Sequence, residues 1–275
     1  MHDFLFQIAL FIYFFAAAGY VAHLITQRKE AERVATLALT CGFAVHTVAF
    51  ALLWKRLGHP PMVNMHETLS FLAWAMSGSF LLVHRYSNVK SMGAFVTPLI
   101  LVAMTASSFQ PDRLLPLPPA LKSLWLPVHA SICIIAYAVL AMAFVISVMY
   151  LLQEKQIKQK RLGPIFRRLP SLDALDSAAE KCLKIGFPLL TIGIVTGSIW
   201  AEQAWGAYWS WDPKETWSLI TWFLYAALLH QRFTVGWRGR RAAYMTIVGF
   251  ITLLFTFIGV TYLLPGAHTY TTWYE

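Results

Sequence analysis

Apolar residues along this chain gather in runs of about 17 to 25, with none of the ~10-residue alternating segments of a membrane barrel. Eight runs stand out: 4–26, 33–54, 67–84, 92–109, 127–152, 185–201, 216–232 and 243–263. They predict an all-α polytopic membrane protein of about eight transmembrane helices. The third, fourth, sixth and seventh runs are short, which tilt or burial at the interface accommodates. The composition agrees. The 275 residues are 58% hydrophobic and only 13% charged, against roughly 25% charged in a soluble domain. No polar stretch is large enough to fold alone, so 1–275 reads as a single integral membrane domain.

Charge then orients the helices. Alternate connections hold seventeen basic residues (Arg28, Lys29 and Arg33 among them), while the others hold five: Lys55, Arg56, Arg113, Lys122 and Lys214. The richer set marks the cytoplasmic side, so both termini are expected on the outer, periplasmic side. The net charge of +9 is thereby an orientation signal and no nucleic-acid footprint. MHDFLFQIAL lacks a basic lead and a small-residue cleavage site, and reads as the first span. Cys41, Cys133 and Cys182 are scattered and suggest neither a disulfide framework nor a zinc site.

The connection 153–184 is expected on the cytoplasmic side. Its first part is basic. Its second, from the N-cap candidate Ser171, repeats Leu172, Leu175, Ala179 and Leu183 at helical spacing. It reads as an amphipathic helix on the membrane surface or as a plain connector. The outer stretch QPDRLLPLPPALKSLWLP holds five prolines, which exclude regular helix through its middle.

Six of the 11 tryptophans lie between 200 and 222, around the outer segment 203–217. An interfacial aromatic belt is one reading. A platform of flat apolar faces for a large planar ligand is the other. Asp212, Pro213 and Glu215 fit N-cap, N1 and N3 of the seventh helix, a capping-box pattern. With Lys214 beside it, that helix start also suits a carboxylate. The histidines add chemistry. His129 opens the fifth helix and His268 follows the eighth, both on the tryptophan side. Two imidazoles can supply both axial ligands of a haem iron while aromatic residues hold the ring. His230 sits about 21 Å further along the seventh helix, near the other face; a snorkelling polar residue is its plain reading. For His23 and His46 a hydrogen-bonded structural role is favoured. In NMHETLSFLAW, Asn64 and Glu67 fit a cap, which accounts for the polar start of the third helix without ligation by His66.

WGAYWSWDPKETWSLITW closely resembles the tryptophan-rich WWD signature of haem-handling membrane proteins, and DPKETWSLITW its CcsA/ResC branch, the system II cytochrome c biogenesis proteins. NMHETLSFLAW, VHASICIIAYAVL, GFPLLTIGIVTGSIWA and GAHTY extend the resemblance over most of the chain. His66 stands where Tyr is more usual in that family. The resemblance implies that His129 and His268 ligate an external haem b iron beside Trp205, Trp209, Trp211, Asp212, Lys214 and Trp217. It implies that His230 serves a transmembrane haem whose second ligand comes from a CcsB/ResB-like partner. The pair would export haem and present it to the C-x-x-C-H thiols of apocytochrome c. No nucleophile on this chain is required, so it is an enzyme only as a subunit of a cytochrome c synthase. A bacterial inner membrane is expected in preference to a thylakoid. Two alternatives are also compatible with the sequence: a system I-type haem-transfer protein, and a b-type electron-transfer cytochrome pairing His230 with His23 or His84.

Overall fold

The computed structural model describes residues 2–86, 89–110, 119–160 and 163–268. These are helical, with no strand among them. The helices are α1 (His2–Thr26), α2 (Lys29–Leu57), α3 (Met65–Tyr86), α4 (Gly93–Ser108), α5 (Trp125–Lys158), the short α6 (Pro164–Arg168), α7 (Leu172–Trp205), α8 (Pro213–His230), α9 (Arg240–Leu254) and the single turn α10 (Val260–Leu263). Among the described residues, five stretches are long and apolar enough to cross a membrane: α1, α2, α5, α7 and Arg240–Leu263. The helix α4 is apolar but only 16 residues long. Each of the eight apolar runs coincides with a helix, though several helices outrun their apolar stretch. Arg113, the proline-rich middle 111–118, Arg161 and the segment 269–275 lie outside the described residues.

The largest difference from the expected boundaries is in α7. It runs unbroken for 34 residues, so the amphipathic stretch after Ser171 and the apolar run from 185 are one rod about 51 Å long. Ser171 does cap it: the Ala174 N–H reaches Ser171 Oγ at 3.3 Å. Nothing between 171 and 205 breaks the helix, because Pro188 costs one hydrogen bond within a long cooperative run.

The chain forms two compact units. The first comprises Met1–Asp112 and Met149–Ala178, the second Arg113–Val148 and Ala179–Glu275. In the first, α1 and α2 lie side by side, reversing at Gln27, a non-glycine residue with φ 58°. Tyr13, Tyr20, Phe80, Ile100 and Met104 fill its core. At the start of α3, the Glu67 N–H donates to Asn64 Oδ1 at 2.8 Å, and Glu67 accepts from Val63 N–H and Asn64 Nδ2. This reciprocal cap matches the expected pattern.

In the second unit, α8 packs on α9. One π-helical turn, Gln231–Val235, follows α8; another, Phe255–Gly259, follows α9. Thr256, in the second π turn, donates to the Trp217 carbonyl at 3.2 Å and meets Thr221 at 3.0 Å, fastening α9 to α8.

Candidate functional site

The site is built where α7 ends and α8 begins. Gly206, at φ 78°, turns the chain out of α7. The chain re-enters helix at Asp212, whose Oδ1 accepts from the Lys214 N–H at 2.9 Å. Glu215 Oε2 accepts from the Asp212 and Ser210 N–H groups at 3.2 and 2.8 Å. The capping box read from the sequence is complete. The exposed donors of this helix start are therefore taken by the protein's own carboxylates.

Asp212 has a second task. Its Oδ1 lies 2.9 Å from His268 Nδ1, and its Oδ2 accepts from the Ala267 N–H at 2.6 Å. One buried carboxylate thus starts α8 and holds the turn that carries His268. Because a carboxylate only accepts, His268 Nδ1 carries the proton and Nε2 keeps its lone pair.

His129 is held in the same way by different means. Its Nδ1 donates to the Gly193 carbonyl at 2.8 Å, which again leaves Nε2 as the lone-pair nitrogen. The ring stacks on Trp200 at 6.0 Å and 10°. A methyl group on Gly197 would lie 2.6 Å from His129 Cε1, so glycine at 197 makes the seat for the imidazole. Trp200 also meets His268 edge-on at 5.6 Å, and Trp205 meets both Trp200 and His268 at 5.0 and 5.2 Å. The buried Trp205 Nε1 has no acceptor among the described residues.

The structure therefore brings together His129, His268, Asp212 and Trp205 of the residues singled out, and adds Trp200, Gly193 and Gly197. The glycines form a small-xxx-small pair, GIVTG, a sequence signal for close helix approach. Other expected members are placed differently. Trp209 and Trp211 pair with each other at 5.8 Å; Trp211 is 68% exposed and sits at φ 59°. A left-handed backbone at a bulky residue stores strain of about 1–3 kcal/mol. Trp217 packs on Phe255 at 4.4 Å. Lys214 Nζ donates to Thr261 Oγ1 at 3.1 Å. His230 is exposed at the far end of α8, about 25 Å from Pro213. Its neighbour Arg232 pairs with Glu180 at 2.9 Å.

Among the described residues, no group of three or more His, Cys, Asp or Glu is placed to hold a metal ion. Two imidazoles with their Nδ1 protons engaged each offer a neutral Nε2, the donor type that a haem iron takes as an axial ligand.

Burial holds the His268 imidazole below its ordinary 6.5, against the opposing pull of the Asp212 hydrogen bond. Burial alone would raise the Asp212 carboxyl. The His268 hydrogen bond, with those from the N–H groups of Lys214 and Ala267, outweighs it and holds the carboxyl below the usual range. The sign follows. A histidine whose folded value is lowered stays neutral, and keeps its lone pair, as pH falls through 6.5. A ligand bound through His268 is expected to keep its absorbance unchanged from pH 7.5 to 6.5 and to lose it only at lower pH. Spectrophotometric titration checks this; a midpoint at or above 6.5 would contradict it.

The helical fold and its long apolar spans define a class, a polytopic helical membrane protein. The family model for the cytochrome C assembly protein matches residues 62–268, which takes in every residue of the site. The chain belongs to that family, in its CcsA group. It is 37% identical over 243 residues to the cytochrome c biogenesis protein CcsA of Guillardia theta, covering 82% of this chain and 81% of that one. It is 39% identical over 249 residues to CcsA of Synechococcus sp. CC9902, covering 82% of each. Among solved structures, the cytochrome c haem lyase CcmF superposes with a TM-score of 0.69 at 17% identity. That match covers 94% of this chain and 46% of CcmF, so this chain spans about half the length of that structure.

Proposed function

We propose that this chain is the haem-presenting subunit of a system II cytochrome c synthase. Haem b is its cargo. His129 and His268 ligate the iron through Nε2, and Trp200 and Trp205 line the porphyrin. The observation that carries the reading is the matched pair of imidazoles, each tied at Nδ1 and sharing Trp200. Membership of the family and the CcsA relatives support it.

The chain's own residues do three things in this reading. The Gly193 carbonyl and Asp212 orient the two imidazoles. The tryptophans shield the ring faces from water. The Trp209–Trp211 ledge, exposed at Trp211, contacts the porphyrin rim, leaving a vinyl edge open to the cytochrome. Thioether formation adds a cysteine thiol across each vinyl group: sulfur bonds to one vinyl carbon and hydrogen to the other. The cysteines and the cofactor carry that chemistry. The cytochrome's histidine then replaces one of the two imidazoles, and haem leaves.

The eight apolar helices cross a bacterial inner membrane, with both termini and the tryptophan segment outside. His230, exposed on α8, ligates haem on its way across together with a histidine of a CcsB-like partner. Purification of the chain with that partner is expected to give a red protein with the absorbance of low-spin, bis-imidazole haem, discharged by apocytochrome c. Haem that survives repeated washing and is unmoved by apocytochrome would instead identify a resident electron carrier.

A further inference from the structure

The haem site leaves unused a set of buried polar side chains in the first unit. On α3, Glu67, Ser70, Ser77 and His84 fall within about 100° of one another around the helix, and Glu67 and His84 are about 25 Å apart along it. That distance is most of the ~30 Å apolar thickness of a bilayer. The side chains Tyr13 and Tyr20 of α1, and Glu32, Thr36 and His46 of α2, join them from the facing helices.

Hydrogen bonds connect much of this seam. His46 is engaged at both ring nitrogens: Nε2 to Ser70 Oγ at 2.9 Å and Nδ1 to the Tyr13 hydroxyl at 3.2 Å. Ser77 interacts with the same hydroxyl. Towards the other end, Tyr20 bonds Thr36 at 2.9 Å. Glu32 lies 3.5 Å from His84 Nε2 and 3.9 Å from His23 Nε2. Glu67 is 3% exposed, His46 1%, Ser77 0% and Glu32 9%. Phe80, fully buried, occupies the turn between Ser77 and His84. Its ring packs on Tyr20 and on His84, each at 5.4 Å.

Ionisable groups inside a membrane protein are costly, and chains of Asp, Glu and His mark proton relays. An imidazole bridging two hydroxyls is suited to the step: it takes a proton on one nitrogen and releases one from the other. We propose that the first unit conducts protons between the two ends of α3 along this seam, with Phe80 as its closed gate. Each proton entering at one end releases one at the other, and hydroxyl rotation resets the chain. No electron moves and no bond to carbon changes; the proton gradient drives the flow. The inference rests on α3 crossing the membrane, as in the function proposed above, and is independent of haem ligation.

The test is proton uptake by liposomes carrying the purified full-length chain, driven by a potassium diffusion potential with valinomycin and read by a pH dye in the lumen. Phe80→Ala is expected to conduct severalfold faster than the parent protein. His46→Gln, which keeps hydrogen-bonding groups but cannot shuttle a proton, is expected to fall to the rate of empty liposomes in either background. Parent and Phe80→Ala both at the empty-liposome rate would overturn the proposal, as would undiminished flux with His46→Gln. If Phe80→Ala does not fold, the parent and His46→Gln decide between the same outcomes. Haem absorbance is read on every sample. It is expected unchanged, so failure of the relay and failure of the haem site are told apart.

Discussion

Replacing His129 with glycine is expected to abolish both the low-spin haem spectrum and cytochrome c maturation, and imidazole added to the medium is expected to restore them. His129 Nε2 is one of only two axial donors in the proposed site, so its loss leaves the iron with a single imidazole. Glycine is the informative replacement because it empties a seat already shaped for an imidazole ring, between Trp200 and the glycine at 197. Free imidazole has the right size and chemistry to fill it. The reading out is the absorbance of the purified complex and the yield of covalent haem in a reporter cytochrome c. His268→Gly is expected to give the same loss with weaker rescue, since it also removes a hydrogen-bond partner of Asp212. Full maturation by both variants would end the assignment.

The second large effect is expected at Asp212, although this residue touches no iron. Its two oxygens accept from His268 Nδ1, from the Ala267 N–H and from the Lys214 N–H. Asp212→Asn replaces one acceptor oxygen with an amide donor, which faces donors already present. One buried N–H is left unsatisfied, at a cost of about 1–3 kcal/mol. His268 also loses the partner that fixes its orientation and tautomer. Losing a supporting partner of this type weakens ligand-held metals by about 10–100-fold. Haem retention is expected to fall by that order, with the spectrum shifting towards a five-coordinate iron. Glu215→Ala separates the two roles of the loop. It removes the acceptor of the Ser210 and Asp212 N–H groups and lowers stability by about 1 kcal/mol as a lost cap. It leaves the Asp212–His268 bond in place, so haem affinity should hold. Equal loss of haem in both variants would reduce Asp212 to a helix cap.

Much of this was legible along the chain because it is encoded locally. Apolar runs of bilayer length mark helices whatever surrounds them. A capping box needs only Asp212, Pro213 and Glu215 in sequence, and the Asn64–Glu67 cap is likewise contained within one turn. The start of α7 at Ser171 was readable from a single side chain. Its extent was not: the change from amphipathic to apolar pattern reflects a change of surroundings, while the backbone hydrogen bonds continue through it. The tryptophans form one group along the sequence, yet its members part company in space. Trp205 sits with the histidines, Trp209 and Trp211 face each other, and Trp217 turns to Phe255.

The sequence by itself determined the helices, their caps and the residue types from which the proposed haem site is made. Tertiary structure decided which of them meet. His129 is fixed by a carbonyl 64 residues away, and His268 by a carboxylate 56 residues before it. His46 joins Tyr13 and Ser70 across three helices. A helical period reports which side of a helix is apolar, but it does not say which neighbour that side will face. That pairing is set by close approach at small residues such as Gly197, and by the need to satisfy each buried polar group at once.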